Sequence, residues 1–492
     1  MCAKGVTGSM DNECLLACAV GVPVAGAFLM PLVGRASKTV RNLLSLILIT
    51  VPLGASIALI PTVLAGKTVY ISAAMPLGFN ISLAADGLAV FMAIVSSFIS
   101  AVIALYSFDY IDHYENQDEY YLMIVLFLGS MMGICYSANL IPLYIFWELT
   151  ALSSWRLIGF FREEHFVKRA DKAFLTTVFG ALLMLLGFIM IGQQAGSFEL
   201  AVIRDKLAAE PVSAVAAGLV IAGILAKSAT LPFHTWLPDA GVAPSPVTAL
   251  LHAAVLVKIG VYAYARIFVA TIAAGAFWDQ AIPAIALAST LVSAGAALVE
   301  TDIKRIIAYS TVSQIGFIFL GLSSGTELGV TGALLFILMH GIAKAGLFLS
   351  AGIIEQKTHV RDITKLGGLV KTMPVTAVSF LLCAFSVMGI PPFGGFFSKY
   401  MVITGALSGG RTALAIAFAA CGFLTIVYLF RLFNAVFLKE APSQEILVKE
   451  GSHTMVFSIA MLAVLSVAGG LLVSYPAEFG LEAVKQIMGL VK

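Results

Sequence analysis

The sequence predicts an all-α, polytopic membrane protein. Of its 492 residues, 60% are hydrophobic and only 11% are charged, and the mean hydropathy is +1.00. An average soluble domain carries about 25% charged residues, so a soluble fold of this size could not cover its surface. The apolar residues also occur in blocks of about 20, the length of a helix that crosses a bilayer. The net charge of +2 is near neutral and gives no indication of a nucleic-acid partner.

The apolar blocks predict about fourteen membrane spans. They lie near residues 14–34, 42–65, 84–106, 121–137, 139–160, 171–194, 212–236, 246–269, 279–299, 306–322, 329–354, 373–405, 411–438 and 453–474. We divide them into four groups, which are an N-terminal group, two five-helix units and a C-terminal helix. The groups cover residues 1–120, 121–270, 279–438 and 439–492.

The basic residues of the short loops predict the orientation, because positive loops face the cytoplasm. Loops that follow odd-numbered spans carry Arg35, Lys38, Arg41, Arg162, Lys168, Arg169, Lys304, Arg305, Lys357, Arg361, Lys365, Lys371, Lys439 and Lys449. The even loops and the termini carry Lys4, Lys67, Arg204, Lys206, Arg411, Lys485 and Lys492. We therefore expect a multi-pass protein of a prokaryotic cell (inner) membrane with both termini outside.

Two of the predicted spans should be broken helices. The seventh contains Pro232 and the twelfth contains Pro391 and Pro392. Proline removes a backbone donor and clashes with the preceding turn, and broken helices inside a membrane occur beside protein or a water-filled cavity. Each break lies near a lysine, Lys227 or Lys399. The breaks are five spans apart, so the two five-helix units must be inverted, an arrangement that points to an ion pathway. Two simple packing kinks are the alternative.

Several ionisable residues lie inside the predicted spans. A lysine or glutamate at the centre of a span costs about 2.5–3.5 kcal/mol on insertion scales. The set consists of Glu148, Lys227, His252, Lys258, His340, Lys344 and Lys399. Burial favours neutral lysine while a nearby carboxylate favours the charged form, and histidine titrates near neutrality, so such residues can pass protons along the membrane midplane. The alternative is that they snorkel or form static ion pairs.

Enzyme chemistry has little support in the sequence. There is no phosphate-binding glycine loop after a strand, no iron–sulfur cysteine spacing and no H-E-x-x-H motif, and the six cysteines are scattered. We expect no catalytic centre, no metal site and no cofactor bound by this chain.

Several strings of residues resemble a known family. They are Phe146-Trp147-Glu148-Leu149, Ala226-Lys227-Ser228, 232–240, 244–253, 302–311, 340–349 and Phe396-Phe397-Ser398-Lys399. Over residues 80–440 the chain resembles the antiporter-like subunits of respiratory complex I, of membrane-bound hydrogenases and of Mrp-type Na⁺/H⁺ antiporters. The resemblance implies fourteen helices with inverted repeats. It also implies a Glu148–Lys227 pair in a first half channel, a bridge at His252 and Lys258, a relay at His340 and Lys344, and a terminal lysine, Lys399, in a second half channel.

The sequence departs from some members of this family. The largest complex I member continues into a long lateral helix, which we expect to be absent here. Some relatives carry an aspartate in the sixth span as the lysine partner, but residues 177–182 contain no acid. Glu148 should then be the carboxylate that acts on Lys227. Some relatives carry glutamate where Lys399 stands, and with His252 and His340 this lysine favours the hydrogenase and Mrp branches.

Three functions are compatible with these observations. The leading hypothesis is an ion-translocating subunit, for H⁺, Na⁺ or both, of a multisubunit redox complex whose other subunits supply the electrons and cofactors. The second is a subunit of a stand-alone Mrp-type Na⁺/H⁺ antiporter. The third is a structural membrane anchor, which the number of intramembrane charges disfavours. In each case we expect other membrane subunits as partners.

Overall fold

The protein is mostly helical. A computed structural model describes residues 3–74, 80–208, 211–440 and 448–489. Its long helices are Ala3–Ala27, Lys38–Leu64, Gly87–Tyr110, Gln117–Tyr136, Leu140–Ile158, Glu164–Ala195, Ala276–Val299, Ile303–Leu322, Glu327–Thr358, Thr412–Phe433 and His453–Leu471. Shorter helices are Met30–Ala36, Leu200–Leu207, Ala214–Lys227, Trp236–Asp239, Ser245–Ala249, Leu256–Tyr264, Pro374–Met388, Gly394–Ser408 and Ser474–Ile487.

Local departures from the α-helix lie around residues 240–269 and 434–438. A 3₁₀ turn forms Ala240–Val242, and wider π turns form Leu250–Ala254, Ala265–Val269 and Asn434–Leu438. The predicted eighth span is therefore not a uniform α-helix. π turns inside helices are frequent at functional sites.

Two short strands are an addition to the predicted all-α fold. Val69–Ala74 and Asn80–Ala85 pair antiparallel, with Val69 opposite Ala85 and Ala74 opposite Asn80. The second strand leads into Asp86, whose side chain accepts a hydrogen bond from the Ala89 backbone and caps the Gly87–Tyr110 helix.

The structure supports many of the predicted spans. Among the described residues, ten helices are long and apolar enough to cross a membrane, and a pair bent by 55° at residues 10–36 makes an eleventh candidate. The predicted span at 139–160 corresponds to Leu140–Ile158, which is not among these candidates. The predicted spans at 212–236 and 373–405 correspond to short helices that end before Pro232 and Pro391.

The helices form an inner group and an outer group. Residues 245–269, Ile303–Leu322 and Glu327–Thr358 are almost entirely buried, whereas Lys38–Leu64 and Glu164–Ala195 expose apolar side chains such as Leu175. Those exposed apolar faces suit contact with lipid. Small residues allow close helix packing, because a Cβ atom at Gly180 would overlap Ala226 on the neighbouring helix.

Some of the basic residues that the sequence analysis assigned to loops do not lie in loops. Lys304 and Arg305 are in the first turn of the Ile303–Leu322 helix, and Lys304 is buried rather than solvated. Of the other basic residues used for the topology, Lys492 and the side chain of Lys4 lie outside the described part of the chain.

Candidate functional site

The ionisable side chains that the sequence singled out lie in the interior of the helical bundle. Six of them are at most 6% exposed and Glu148 is half-buried. The six are Lys227, His252, Lys258, His340, Lys344 and Lys399. Such burial inside a membrane is costly and marks a functional site by default.

Lys227 is the last residue of the helix that precedes the first break. Pro232 lies in the non-helical stretch that follows, residues 228–235. The Lys227 ammonium donates to the Trp147 carbonyl at 3.1 Å and lies 5.3 Å from the centre of the Trp147 ring. Glu148 follows Trp147 in the chain. No ion pair joins Glu148 to Lys227 in the described structure, and the buried Oε1 atom of Glu148 has no hydrogen-bond partner there. The two side chains are close enough to interact electrostatically without touching.

Lys258 and His340 meet in the centre of the molecule. The Lys258 Nζ lies 2.6 Å from His340 Nδ1 and donates to the His252 carbonyl at 3.2 Å. His252 and Lys258 are six residues apart, a spacing that places their side chains on different sides of an ideal helix. The π turn Leu250–Ala254 nevertheless brings the His252 carbonyl within reach of the lysine.

The imidazole of His252 lies close to the same group of residues. Its ring centre is 4.5 Å from that of Phe348 on the Glu327–Thr358 helix. Neither ring nitrogen has a hydrogen-bond partner among the described residues. A buried imidazole with both nitrogens unpartnered is available to exchange a proton with a neighbouring group or water.

Lys344 is one turn beyond His340 but contacts a different helix. It donates to the Ser310 hydroxyl at 2.6 Å and to the Ile307 carbonyl at 3.1 Å. Residues four apart share a helix face, but these two contact different neighbours. His340 contacts Lys258, and Lys344 contacts Ser310.

Lys399 forms hydrogen bonds across the second helix break. The Pro374–Met388 helix ends before Pro391 and Pro392, and the next helix begins at Gly394. Lys399 on this second helix donates back to the Val387 carbonyl at 2.8 Å and to the Met388 carbonyl at 3.4 Å. These carbonyls have lost their helical partners at the end of the first helix, so the lysine satisfies them. Its Nζ also lies 4.9 Å from the Phe317 ring centre.

The partners of these buried lysines determine what they can do. Lys227, Lys258, Lys344 and Lys399 contact carbonyls, a hydroxyl, an imidazole and aromatic rings, all of which are neutral acceptors. In the described structure no carboxylate forms an ion pair with any of the four. A permanent ion pair would hold a lysine in its charged form, whereas neutral partners allow it to gain and lose a proton.

Two buried ion pairs escaped the sequence reasoning. Arg266, near the end of the predicted eighth span, is buried and pairs with Asp86, with Nη2 2.8 Å from Oδ1. Lys304, counted as a loop residue, pairs with Glu355 at 3.0 Å and donates to the Ala243 carbonyl at 2.8 Å. In the sequence, the acidic partners Asp86 and Glu355 lie at the ends of apolar blocks. Acidic residues at such positions are hard to distinguish from ordinary helix caps.

A further ion-pair network fixes the end of the first break. Asp239 pairs with Lys172 at 2.6 Å and with Arg305 at 2.7 Å, and Arg305 also reaches Glu300 at 2.8 Å. Burial acts to raise the pKa of the Asp239 carboxyl, but the hydrogen bonds and charges of Lys172 and Arg305 outweigh burial and lower it. Asp239 therefore holds the chain after the break to two other helices as a carboxylate.

The candidate residues lie within a region that matches a known family. The family model described as "NADH:quinone oxidoreductase/Mrp antiporter, TM" matches residues 137–425, which include every candidate from Glu148 to Lys399. The chain belongs to this family. A second model, "NADH-Ubiquinone oxidoreductase (complex I), chain 5 N-terminus", matches residues 70–121. This chain is thus a multi-pass membrane protein of the NADH:quinone oxidoreductase/Mrp antiporter family.

Curated relatives of this family include components of sodium–proton antiporters. The A1 component of a Na⁺/H⁺ antiporter from Staphylococcus haemolyticus is 34% identical over 93% of this chain and 61% of its own length. A Na⁺/H⁺ antiporter component from Alkalihalophilus pseudofirmus is 38% identical over 67% of this chain and 43% of its own length. This chain therefore spans about three fifths or less of the length of these curated relatives.

Solved structures of the same fold cover nearly the whole chain. One belongs to the Mrp complex from Dietzia sp., with a TM-score of 0.88, 24% identity and coverage of 97% of this chain and 98% of that one. Another belongs to the membrane-bound sulfane sulfur reductase, an archaeal respiratory membrane complex, with a TM-score of 0.87, 25% identity and coverage of 96% and 97%. The fold thus occurs in an Mrp complex and in an archaeal respiratory membrane complex.

Proposed function

We propose that this chain is the ion-translocating, antiporter-like subunit of a multisubunit membrane complex that moves H⁺, Na⁺ or both. One observation carries the proposal: six buried lysines and histidines lie inside the bundle, with Lys227 and Lys399 at the two helix breaks and Lys258 in contact with His340. Each lysine contacts neutral acceptors and is free to change its protonation state. A structural anchor would have no use for such costly groups.

The proposed path has two ends and a centre. Glu148 and Lys227 form the first half channel, and Lys399 forms the end of the second. His252, Lys258, His340 and Lys344 form the relay between them. A proton that reaches Lys258 can pass to His340 across their direct contact of 2.6 Å. Lys227 and Glu148 are near neighbours that do not touch. When Lys227 is protonated, the Glu148 carboxylate attracts it, and the lysine leaves its carbonyl partner and approaches Glu148.

We propose the finer architecture on the same basis. The bent pair at residues 10–36, the Leu140–Ile158 helix and the two broken segments would raise the ten candidate spans to fourteen. Residues 121–270 and 279–438 would then be inverted repeats, each with one break and one lysine at that break. Both termini would face outside, and residues 355–372 would face the cytoplasm of a prokaryotic cell.

The names of the curated relatives favour a Na⁺/H⁺ antiporter as the parent complex. The family description and one solved structure of the same fold favour the Mrp type. A redox complex is the second candidate, because the same fold occurs in an archaeal respiratory complex. In both cases the partners are other membrane subunits, and this chain binds no cofactor of its own.

Purification and transport assays distinguish these candidates. The chain should be expressed with the subunits encoded beside it, purified in mild detergent and reconstituted into vesicles. We expect a complex larger than one chain that couples a Na⁺ gradient to a pH change without an electron donor. Transport that requires an electron donor would favour the redox complex. An active, stable monomer, or a complex whose transport survives Lys344→Ala, would contradict the proposal.

A further inference from the structure

Two matching stripes of side chains lie between Lys344 and Lys399. They belong to the Ile303–Leu322 and Thr412–Phe433 helices, which pack together inside the bundle. Each stripe has the spacing i, i+4, i+7, which places its members on one helix face. The first stripe is Ser310, Gln314 and Phe317, and the second is Cys421, Thr425 and Tyr428, all fully buried.

Hydrogen bonds connect the two stripes at the Lys344 end. The Lys344 ammonium and the Tyr428 hydroxyl both donate to the Ser310 hydroxyl oxygen, at 2.6 Å and 2.9 Å. The Gln314 amide nitrogen donates to the Tyr428 hydroxyl at 3.4 Å and to the Thr425 hydroxyl at 3.2 Å. Lys344 is therefore the first member of a continuous hydrogen-bonded line that crosses from one stripe to the other.

The line continues toward Lys399. The Thr425 hydroxyl donates to the Cys421 carbonyl at 3.3 Å, and Cys421 is close enough to Lys399 to interact with it electrostatically. Phe317, which ends the first stripe, lies beneath the Lys399 ammonium. Between these points the Gln314 side-chain oxygen is buried and has no hydrogen-bond partner among the described residues. A buried amide oxygen of this kind is a natural acceptor for a water molecule or an ammonium group.

We propose that this line carries protons between Lys344 and Lys399, with Tyr428 as its indispensable link. The inference rests on the proposed function, since it assumes that both lysines exchange protons. The Tyr428 hydroxyl donates to Ser310 in the structure, so the two hydroxyls first rotate until Ser310 donates to Tyr428. The Lys344 ammonium then gives a proton to the Ser310 oxygen while Ser310 passes its own proton to Tyr428. Tyr428 releases its proton in turn to water bound by Gln314 and Thr425, and the neutral Lys399 amine receives one. Each hydroxyl gains one proton and loses one, so no charge remains on the line.

Helix packing alone could also explain these buried hydrogen bonds, and the chain offers a matched control for that role. Tyr136 is equally buried, and its hydroxyl lies 2.7 Å from that of Ser56. This pair is outside the line between Lys344 and Lys399. Tyr136→Phe and Tyr428→Phe each remove one buried hydroxyl that contacts a serine, so their structural effects should be similar.

The test compares these variants in the assembled complex. Initial rates of pH change in inverted vesicles are measured at several pH values and normalised to assembled complex. We expect Tyr428→Phe to be at least about tenfold slower than Tyr136→Phe, because it removes a hydroxyl that passes the proton along the line. Ser310→Ala should lose transport, and Ser310→Thr, which keeps a hydroxyl, should restore part of it.

Lys344→Ala in the same assay separates this inference from the proposed function. Wild-type transport in Lys344→Ala would overturn the proposed function and the inference with it. Loss of transport in Lys344→Ala, together with a Tyr428→Phe rate no lower than that of Tyr136→Phe, would overturn only the inference.

Discussion

The Lys258 Nζ lies 2.6 Å from Nδ1 of His340, and this contact joins the two halves of the bundle. Lys258 is on the Leu256–Tyr264 helix of the first predicted repeat, and His340 is on the Glu327–Thr358 helix of the second. Both side chains are buried. In the proposed function, a proton that passes from one half channel to the other crosses this contact.

Replacing Lys258 should therefore interrupt transport. Lys258→Met keeps the length of the side chain but removes the group that exchanges the proton, and it leaves His340 Nδ1 without this partner. We expect transport to fall by about tenfold or more, as when a hydrogen bond to a charged group is lost. The measurement is Na⁺-dependent pH change in vesicles. Lys485→Met is the control, because Lys485 pairs with its sequence neighbour Glu482 near the surface. Equal transport in both variants would remove Lys258 from the relay.

The Asp86–Arg266 pair should matter for stability. Asp86→Asn leaves the Arg266 guanidinium buried without its charge partner. We expect it to lower the free energy of unfolding by about 3 kcal/mol. This is the lower end of the range for breaking a buried pair, because both side chains retain some exposure. We expect a lower melting temperature of the purified complex. Asp112→Asn is the matched control, because the Lys38–Asp112 pair is exposed and such pairs contribute about 0–1 kcal/mol. Equal melting temperatures would contradict the structural role of Asp86.

Gly470 should be essential for the second break. A Cβ atom at this position would overlap the Pro392 carbonyl and the start of the Gly394–Ser408 helix. Gly470→Ala should displace the break and with it Lys399, so both assembled complex and transport should decrease. Gly422→Ala is the control, since no atom of the described residues lies near its Cβ position and alanine is favoured over glycine in a helix by about 1 kcal/mol. The two variants are compared by the yield of complex and its transport rate.

The orientation in the membrane can be tested with cysteines. Lys365 and Arg204 are both exposed and lie in predicted loops assigned to opposite sides. Single cysteines at these positions, in a background without Cys14 and Cys18, should react with an impermeant reagent from opposite faces. Reaction of both from one side would overturn the topology.

The sequence predicted the buried charges but not their partners. Lysine and histidine stand out in apolar helices because of their cost, so Lys227 and Lys399 could be found by composition and proline position alone. Their partners are mostly backbone carbonyls, as for Lys399 and Val387, and a carbonyl has no sequence signature. Glu148 and Lys227 lie near each other, as predicted, but they form no ion pair in the described structure. Side-chain geometry decides between the two arrangements, and the sequence does not give it.

Irregular backbone set another limit on prediction. The spacing of His252 and Lys258 implies different sides of an ideal helix, but the π turn at Leu250–Ala254 changes which groups meet. Periodicity assumes a uniform helix and cannot detect such a turn. The strands Val69–Ala74 and Asn80–Ala85 were missed because the spans dominate the pattern around them.

The most direct test of the proposed function is ion transport by Lys227→Ala in the assembled complex. We predict that pH change or Na⁺ uptake in inverted vesicles, normalised to assembled complex, is abolished while the amount of complex stays near normal. Glu148→Ala should reduce transport strongly and Glu148→Asp less, because aspartate keeps the charge on a shorter side chain. Transport by Lys227→Ala near the wild-type rate would contradict the central claim and make the buried lysine a structural residue.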